Sequence, residues 1–167
     1  GKTSREIFEI REKNNNSHSM DFLTVGSMGH CSSIALGIAL EKPDRKIICI
    51  DGDGSLIMHM GNLSTVGKLN PQNYFHILIN NYAHESVGGQ LTNADTINFK
   101  NLTKSLNYKK FFIINNKKEL NKKMKDFIRS SGPSFLEIKI KNKSMSNLMR
   151  PKSGSLKKIV KNFMIKV

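Results

Sequence analysis

The groups able to do chemistry gather at the ends of two apolar runs. Ile47-Ile48-Cys49-Ile50 breaks at Asp51-Gly52-Asp53-Gly54-Ser55, and Phe75-His76-Ile77-Leu78-Ile79 breaks at Asn80-Asn81. Both runs are short, β-branched and closed by turn residues, which predicts two buried parallel strands. Ligands of an open α/β sheet lie beyond the carboxyl ends of its strands, where Asp53 and Asn81 stand. If the strands are neighbours, a carboxylate and an amide oxygen converge there. Few oxygen ligands with room for phosphate and water suit Mg²⁺ better than Ca²⁺. Gly52 and Gly54 permit a tight turn and close backbone approach to an anion. Ser55 reads as the N-cap of a helix running to about Lys68, its free N–H groups facing that anion. Gly-Asp-Gly or Asn-Asn alone is ordinary turn chemistry. Together, each at a strand end, they describe a site for a phosphate ester held through Mg²⁺.

The elements that must position these groups follow from pattern. Ile7 to about Lys13 is predicted helical, with Thr3 or Ser4 as its cap. Phe22-Leu23-Thr24-Val25 is a short strand candidate. Gly26-Ser27-Met28-Gly29-His30 is a turn, and an uncharged, small-residue helix from Ser32 to Leu40 is expected to be buried. After Asn81, Tyr82-Ala83-His84-Glu85-Ser86-Val87-Gly88-Gly89-Gln90 reads as a loop closing over a site, with His84 and Glu85 as candidates for acid–base work. Asp95 to Leu106 covers a turn and a helix. Phe111 to Ile114 is a strand, Glu119 to Arg129 an amphipathic helix, and alternating Phe135 to Ile140 an edge strand. Met145 to Gly154 is a loop, and Leu156 to Met164 a terminal helix. Strand alternating with helix predicts a three-layer α/β/α domain on a mostly parallel sheet. No strand precedes the first helix, so the first strand of the domain is expected to be missing.

Gly52-Asp53-Gly54, then 25 residues, then Asn80-Asn81 resembles the cofactor motif of the thiamine diphosphate (ThDP)-dependent enzymes. The resemblance implies that Mg²⁺ is bound by Asp53, Asn81 and the main-chain carbonyl of Ala83. It also implies that Gly26-Ser27-Met28-Gly29 lies under the cofactor, Met28 wedging its two rings apart and the carbonyl of Gly26 accepting from its aminopyrimidine. A soft, unbranched thioether suits such a gap. Residues 2–6, 21–30 and 84–90 narrow the resemblance to the 2-oxo acid decarboxylases that act on phosphonopyruvate, with the sulfopyruvate decarboxylase β subunits next. They add Thr3, Ser4 and Ser86 to the cofactor contacts alongside Gly52, Gly54 and Ser55. The reaction implied is decarboxylation of phosphonopyruvate to phosphonoacetaldehyde and CO₂. His30 and His84, beside the motif turns, and Lys2 and Arg5 are candidate donors to the substrate's anionic tail. In the family, the glutamate that protonates the cofactor's pyrimidine ring comes from a separate pyrimidine-binding domain. Nothing here aligns with that domain, so a partner domain or subunit, in a homo- or hetero-oligomer, is expected.

Composition bounds the alternatives. At 167 residues and 38% hydrophobic, the chain is long enough for one domain with a real core. No apolar run of about 18 residues and no secretory signal occur, which predicts a soluble, cytoplasmic protein without membrane contact. Cys31 and Cys49 read as free thiols in a reducing compartment. The net charge of +14 invites nucleic acid, yet the lysines concentrate at 109–125 and 139–166 among asparagines, with no recognition motif beside them. A compositional bias explains them better. A noncatalytic basic module on the same fold is the reading left outside catalysis.

Overall fold

The computed structural model describes residues 1–24, 26–145, 147–151 and 156–166, without side chains for 156–159. They fall into two compact units, residues 29–142 and residues 1–28 with 143–167.

The larger unit holds a four-stranded sheet. Its strands are β1 (Ile47–Gly52), β2 (Tyr74–Asn80), β3 (Lys110–Ile114) and β4 (Ser134–Lys139), all parallel, in the order β1-β2-β4-β3. Their side chains alternate between two apolar layers, as the period of a strand requires. Cys49, Tyr74, Leu78 and Phe135 face one layer, with Ala35, Leu36 and Ala39 of a helix α2 (Cys31–Glu41). Ile77, Leu136 and Ile114 face the other, with Phe127 of a helix α6 (Lys117–Arg129). Each fully buried Phe or Leu in these layers contributes about 1.5–3 kcal/mol. Helices α3 (Asp53–Met58), α4 (Asn62–Leu69) and α5 (Phe99–Ser105) complete the unit's α-helices, and α4 and α5 add Leu63, Val66 and Phe99 to the first layer. This is the expected α/β/α arrangement.

Three elements of this unit differ from the sequence reading. The helix after β1 is not continuous to Lys68. Gly52, not Ser55, is its N-cap, and Ser55 lies inside α3, which ends at Met58 before the chain resumes in α4. The break falls at His59-Met60-Gly61, where Gly costs a helix about 1 kcal/mol. Helix α2 is buried along one stripe only, since Ser33, Gly37 and Leu40 are exposed. Strand β4 is interior, between β2 and β3, not at an edge. Its alternation misleads because Glu137, the polar residue in the pattern, is itself buried at 5% exposure with a partner across the sheet.

In the smaller unit, α1 (Lys2–Lys13) begins at Lys2 and buries no residue, so Thr3 and Ser4 lie within the helix and cap nothing. Arg11 donates to Asp21 at 2.7 Å, His18 bonds Glu12 at 2.7 Å, and the Met145 N–H donates to Glu6 at 2.9 Å. Phe22, Leu23 and Thr24 join no ladder, and Val25 lies outside the described residues. Helix α7 (Leu156–Lys166) matches the expected terminal helix. Of the expected loop from Met145 to Gly154, Ser146 and residues 152–154 lie outside the described residues.

Candidate functional site

Parallel pairing of β1 and β2 runs to Gly52 opposite Ile79, so both strands release their chains at the same edge of the sheet. Asp53, the first residue of α3, is 2% exposed. Its carboxylate accepts a hydrogen bond from the Thr92 hydroxyl. The Thr92 N–H in turn donates to the Tyr82 carbonyl at 3.0 Å, next to Asn81. Thr92 therefore ties the Asp53 carboxylate to the segment that follows β2. Asn81 is half-buried, its amide oxygen accepting from the Ala83 N–H at 3.2 Å. Ala83 is buried and bridges to Leu91.

The segment between Ala83 and Leu91 is a closed loop. The His84 N–H donates to the Gln90 carbonyl at 2.8 Å, and the His84 carbonyl accepts from Val87 and Gly89 at 3.0 Å each. Glu85 and Ser86 lie in its short 3-10 turn, Ser86 exposed. The His84 ring lies against Gly54, where any Cβ would overlap it. This contact gives Gly54 a reason to lack a side chain that the turn alone does not supply. Nδ1 of His84 is buried without a hydrogen-bond partner.

Beneath this edge lies an anchor. Asn80, the last residue of β2, is fully buried and donates from Nδ2 to Glu137 Oε1 at 2.8 Å, while its own amide oxygen accepts from the Tyr82 N–H at 3.2 Å. Tyr82 sits at φ +60°, a left-handed conformation that costs a non-glycine residue roughly 1 kcal/mol or more. The Asn80 side chain thus fixes the turn that aims Asn81. Lys139, level with Asn80 across β2 and β4, has its Nζ 6.0 Å from the Tyr82 ring. A hydrogen bond to Tyr82 pushes the Lys139 pKa up.

On the α2 face of β1 and β2, Ser55 accepts from the Gly29 N–H at 3.0 Å and also bonds Asp51. Burial raises the Asp51 pKa, opposed by its hydrogen bonds to Ser55 and the Gly52 N–H. Burial alone holds His76 down to about 3, so its ring is neutral. His30, exposed at the start of α2, lies 4.3 Å from His59 between ring centroids.

The larger unit therefore brings together Asp53, Gly54, Asn81, Ala83 and His84, with Gly52 closing β1 and Ser55 on the first turn of α3. Glu85 and Ser86 follow on the same loop, and His30 stands at α2. The remaining sequence candidates belong to the smaller unit: Thr3 and Ser4 in α1, and Gly26, at φ +90°, with Met28 in the turn that ends it. Three residues of the site escape the motif reading. Asn80 is half of the Asn-Asn pair and does the anchoring. Glu137 hides in an alternating strand. Thr92 carries no signal in sequence, because its role depends on a loop folding back.

A buried carboxylate bonded to Thr92, an amide oxygen and a main-chain carbonyl are donors of the kind that suit a hard divalent cation. The phosphonopyruvate decarboxylase of Streptomyces viridochromogenes is 31% identical over 152 residues, covering 91% of this chain and 37% of that protein. The sulfopyruvate decarboxylase subunit beta of Methanococcus maripaludis is 32% identical over 150 residues, covering 89% of this chain and 77% of that subunit. Transketolase from Campylobacter jejuni shares the fold at a TM-score of 0.57, with 23% identity over 69% of this chain and 20% of that one. The chain spans little more than a third of the phosphonopyruvate decarboxylase it matches. Residues 1–138 match the thiamine pyrophosphate enzyme C-terminal TPP binding domain, and the chain belongs to that family.

Proposed function

We propose that this chain supplies the diphosphate- and Mg²⁺-holding half of a ThDP-dependent decarboxylase whose substrate is phosphonopyruvate. The observation that carries the reading is the Asp53–Thr92–Tyr82 linkage. It ties a buried carboxylate to the residue that follows Asn81 in a chain of the TPP-binding family. Asp53, Asn81 and the Ala83 carbonyl would hold the metal. ThDP, when bound, supplies the electron sink for loss of CO₂. The chain's own residues orient and relay. Gly52, Gly54, Ser55 and Ser86 border the diphosphate, while Gly26, Met28, Thr3 and Ser4 serve the cofactor's rings and edge. His84, Glu85 and His30 move protons or meet the substrate's anionic tail. Lys139, at the carboxyl end of β4, is a candidate cation for that tail, as are Lys2 and Arg5 of the sequence reading.

The pyrimidine-binding half comes from a partner domain or subunit. Sulfopyruvate is the second reading. One observation favours it: the sulfopyruvate decarboxylase subunit beta of Methanocaldococcus jannaschii is 45% identical over 94 residues, against 31% over 152 residues for the phosphonopyruvate decarboxylase.

Calorimetric titration of the assembled enzyme with ThDP and Mg²⁺ tests the site. Asp53→Ala abolishes Mg²⁺-dependent binding, because the bridging cation loses its charged ligand. Asn81→Ala weakens it less, since an amide carries no formal charge. Unchanged affinity in a folded Asp53 variant removes Asp53 from the site.

A further inference from the structure

Four chemically soft or ionisable side chains, none of them among the oxygen donors above, gather on the α2 face of the sheet. Cys49 and His76 are level with one another on β1 and β2, and Asp51 is two residues along on the same face as Cys49. One ligand atom from each of these three lies within 4.8 Å of the others, and all three residues are buried. Cys31, the first residue of α2, brings its sulfur to 3.6 Å from that of Cys49.

Burying polar groups without partners costs several kcal/mol unless something satisfies them. Here that cost recurs within one cluster. His76 is 0% exposed, yet neither Nδ1 nor Nε2 has a hydrogen-bond partner. Asp51 is 3% exposed, with one oxygen held by Ser55 and Oδ2 left without a hydrogen bond. That Oδ2 points at His76 Nε2 from 3.9 Å, too far for a hydrogen bond.

We propose that Cys31, Cys49, Asp51 and His76 form a tetrahedral site for a divalent transition-metal ion of the zinc class. Bonds of about 2.0–2.3 Å to sulfur, nitrogen and oxygen place tetrahedral ligand atoms roughly 3.3–3.8 Å apart. To reach that geometry the 3.9 Å from nitrogen to oxygen contracts, the 3.6 Å between sulfurs widens slightly, and the Cys31 sulfur, outside the group formed by the other three, moves in toward Asp51 and His76. Two thiolates, an imidazole and a carboxylate are soft or borderline donors that select zinc over Mg²⁺. Binding displaces the two thiol protons to solvent, and the imidazole coordinates in its neutral form and the carboxyl in its ionised form. Cys31 is half-buried and the other three are buried, so the ion enters from the α2 side or during folding. Because Asp51 is also bonded to Ser55 of α3, the ion would brace β1, β2, α2 and the helix that begins with Asp53.

The test uses the assembled enzyme, produced under reducing conditions with zinc or cobalt supplied. After removal of Mg²⁺ and ThDP, about one equivalent of zinc per chain remains. The cobalt form shows the strong visible bands of a tetrahedral ion and thiolate-to-cobalt charge transfer. Cys31→Ser, chosen because its site is at the rim, weakens the charge transfer and lowers metal affinity at least about tenfold. Should core variants such as His76→Gln not fold, the cobalt spectrum of the unaltered protein still decides. A metal content near zero, a weak octahedral cobalt spectrum, or a Cys31–Cys49 disulfide in the reduced preparation each overturns the proposal.

Discussion

At the scale of single residues, the Asn80–Glu137 pair shows how a buried polar contact can serve a site it does not touch. Asn80 spends one end of its amide on the Glu137 carboxylate and the other on the turn carrying Asn81. Replacing Asn80 by Leu leaves the Glu137 carboxyl without that partner inside the sheet and frees the turn. We expect a loss of at least about 2 kcal/mol in folding stability, with weaker Mg²⁺–ThDP binding beside it. Glu137→Gln keeps an oxygen for Asn80 and costs less. Chemical denaturation of the two variants checks the order, and equal losses would remove the pair's special role. The motif exposes Asn80 only as a neighbour of Asn81. Its importance rests on a strand partner 57 residues away in sequence.

At the scale of elements, α4 illustrates packing that overrides helix propensity. Ala is a better helix residue than Gly by about 1 kcal/mol, so propensity predicts that Gly67→Ala stabilises α4. The structure predicts the reverse. A Cβ at Gly67 would overlap the main-chain carbonyl of Leu106, at the end of α5. That backbone cannot rotate away as a side chain can, so we expect Gly67→Ala to destabilise the protein by about 3 kcal/mol in urea unfolding. A neutral or stabilising result would mean that the α4–α5 approach is loose. The same reasoning explains why α2 looked wholly buried in sequence. Small uncharged residues permit close packing on any side, but only Ser32, Ala35, Leu36 and Ala39 use it.

At the scale of the whole molecule, the proposed reading makes this chain half of an active site. The purified chain alone is expected to show no decarboxylase turnover, and mixing with a pyrimidine-binding partner restores it. Steady aldehyde production by the chain by itself would sink that division of labour. On the assembled enzyme, kcat/KM should rank phosphonopyruvate above sulfopyruvate and pyruvate, and Lys139→Gln should cost the phosphonate more than pyruvate. A preference for sulfopyruvate hands the assignment to the second reading. Among the described residues no helix is long and apolar enough to cross a membrane.

The amino-acid order alone determined the strands β1 and β2, the turn residues closing them and the interval between Asp53 and Asn81. Those features are local: β-branched runs, glycines and a fixed interval each leave their mark within a few residues. It also determined the α/β class through alternation of periods. Tertiary structure decided the rest, because the deciding partners are remote in sequence. Strand order made β4 interior and turned Glu137 from a surface residue into an anchor. Loop closure brought Thr92 onto Asp53 and His84 against Gly54. The parallel register of β1 and β2 set Cys49 beside His76, two residues that strand patterning alone reads as filler. A parallel sheet joins segments that share no local signal, so burial and hydrogen bonding, rather than pattern, assign those side chains their roles.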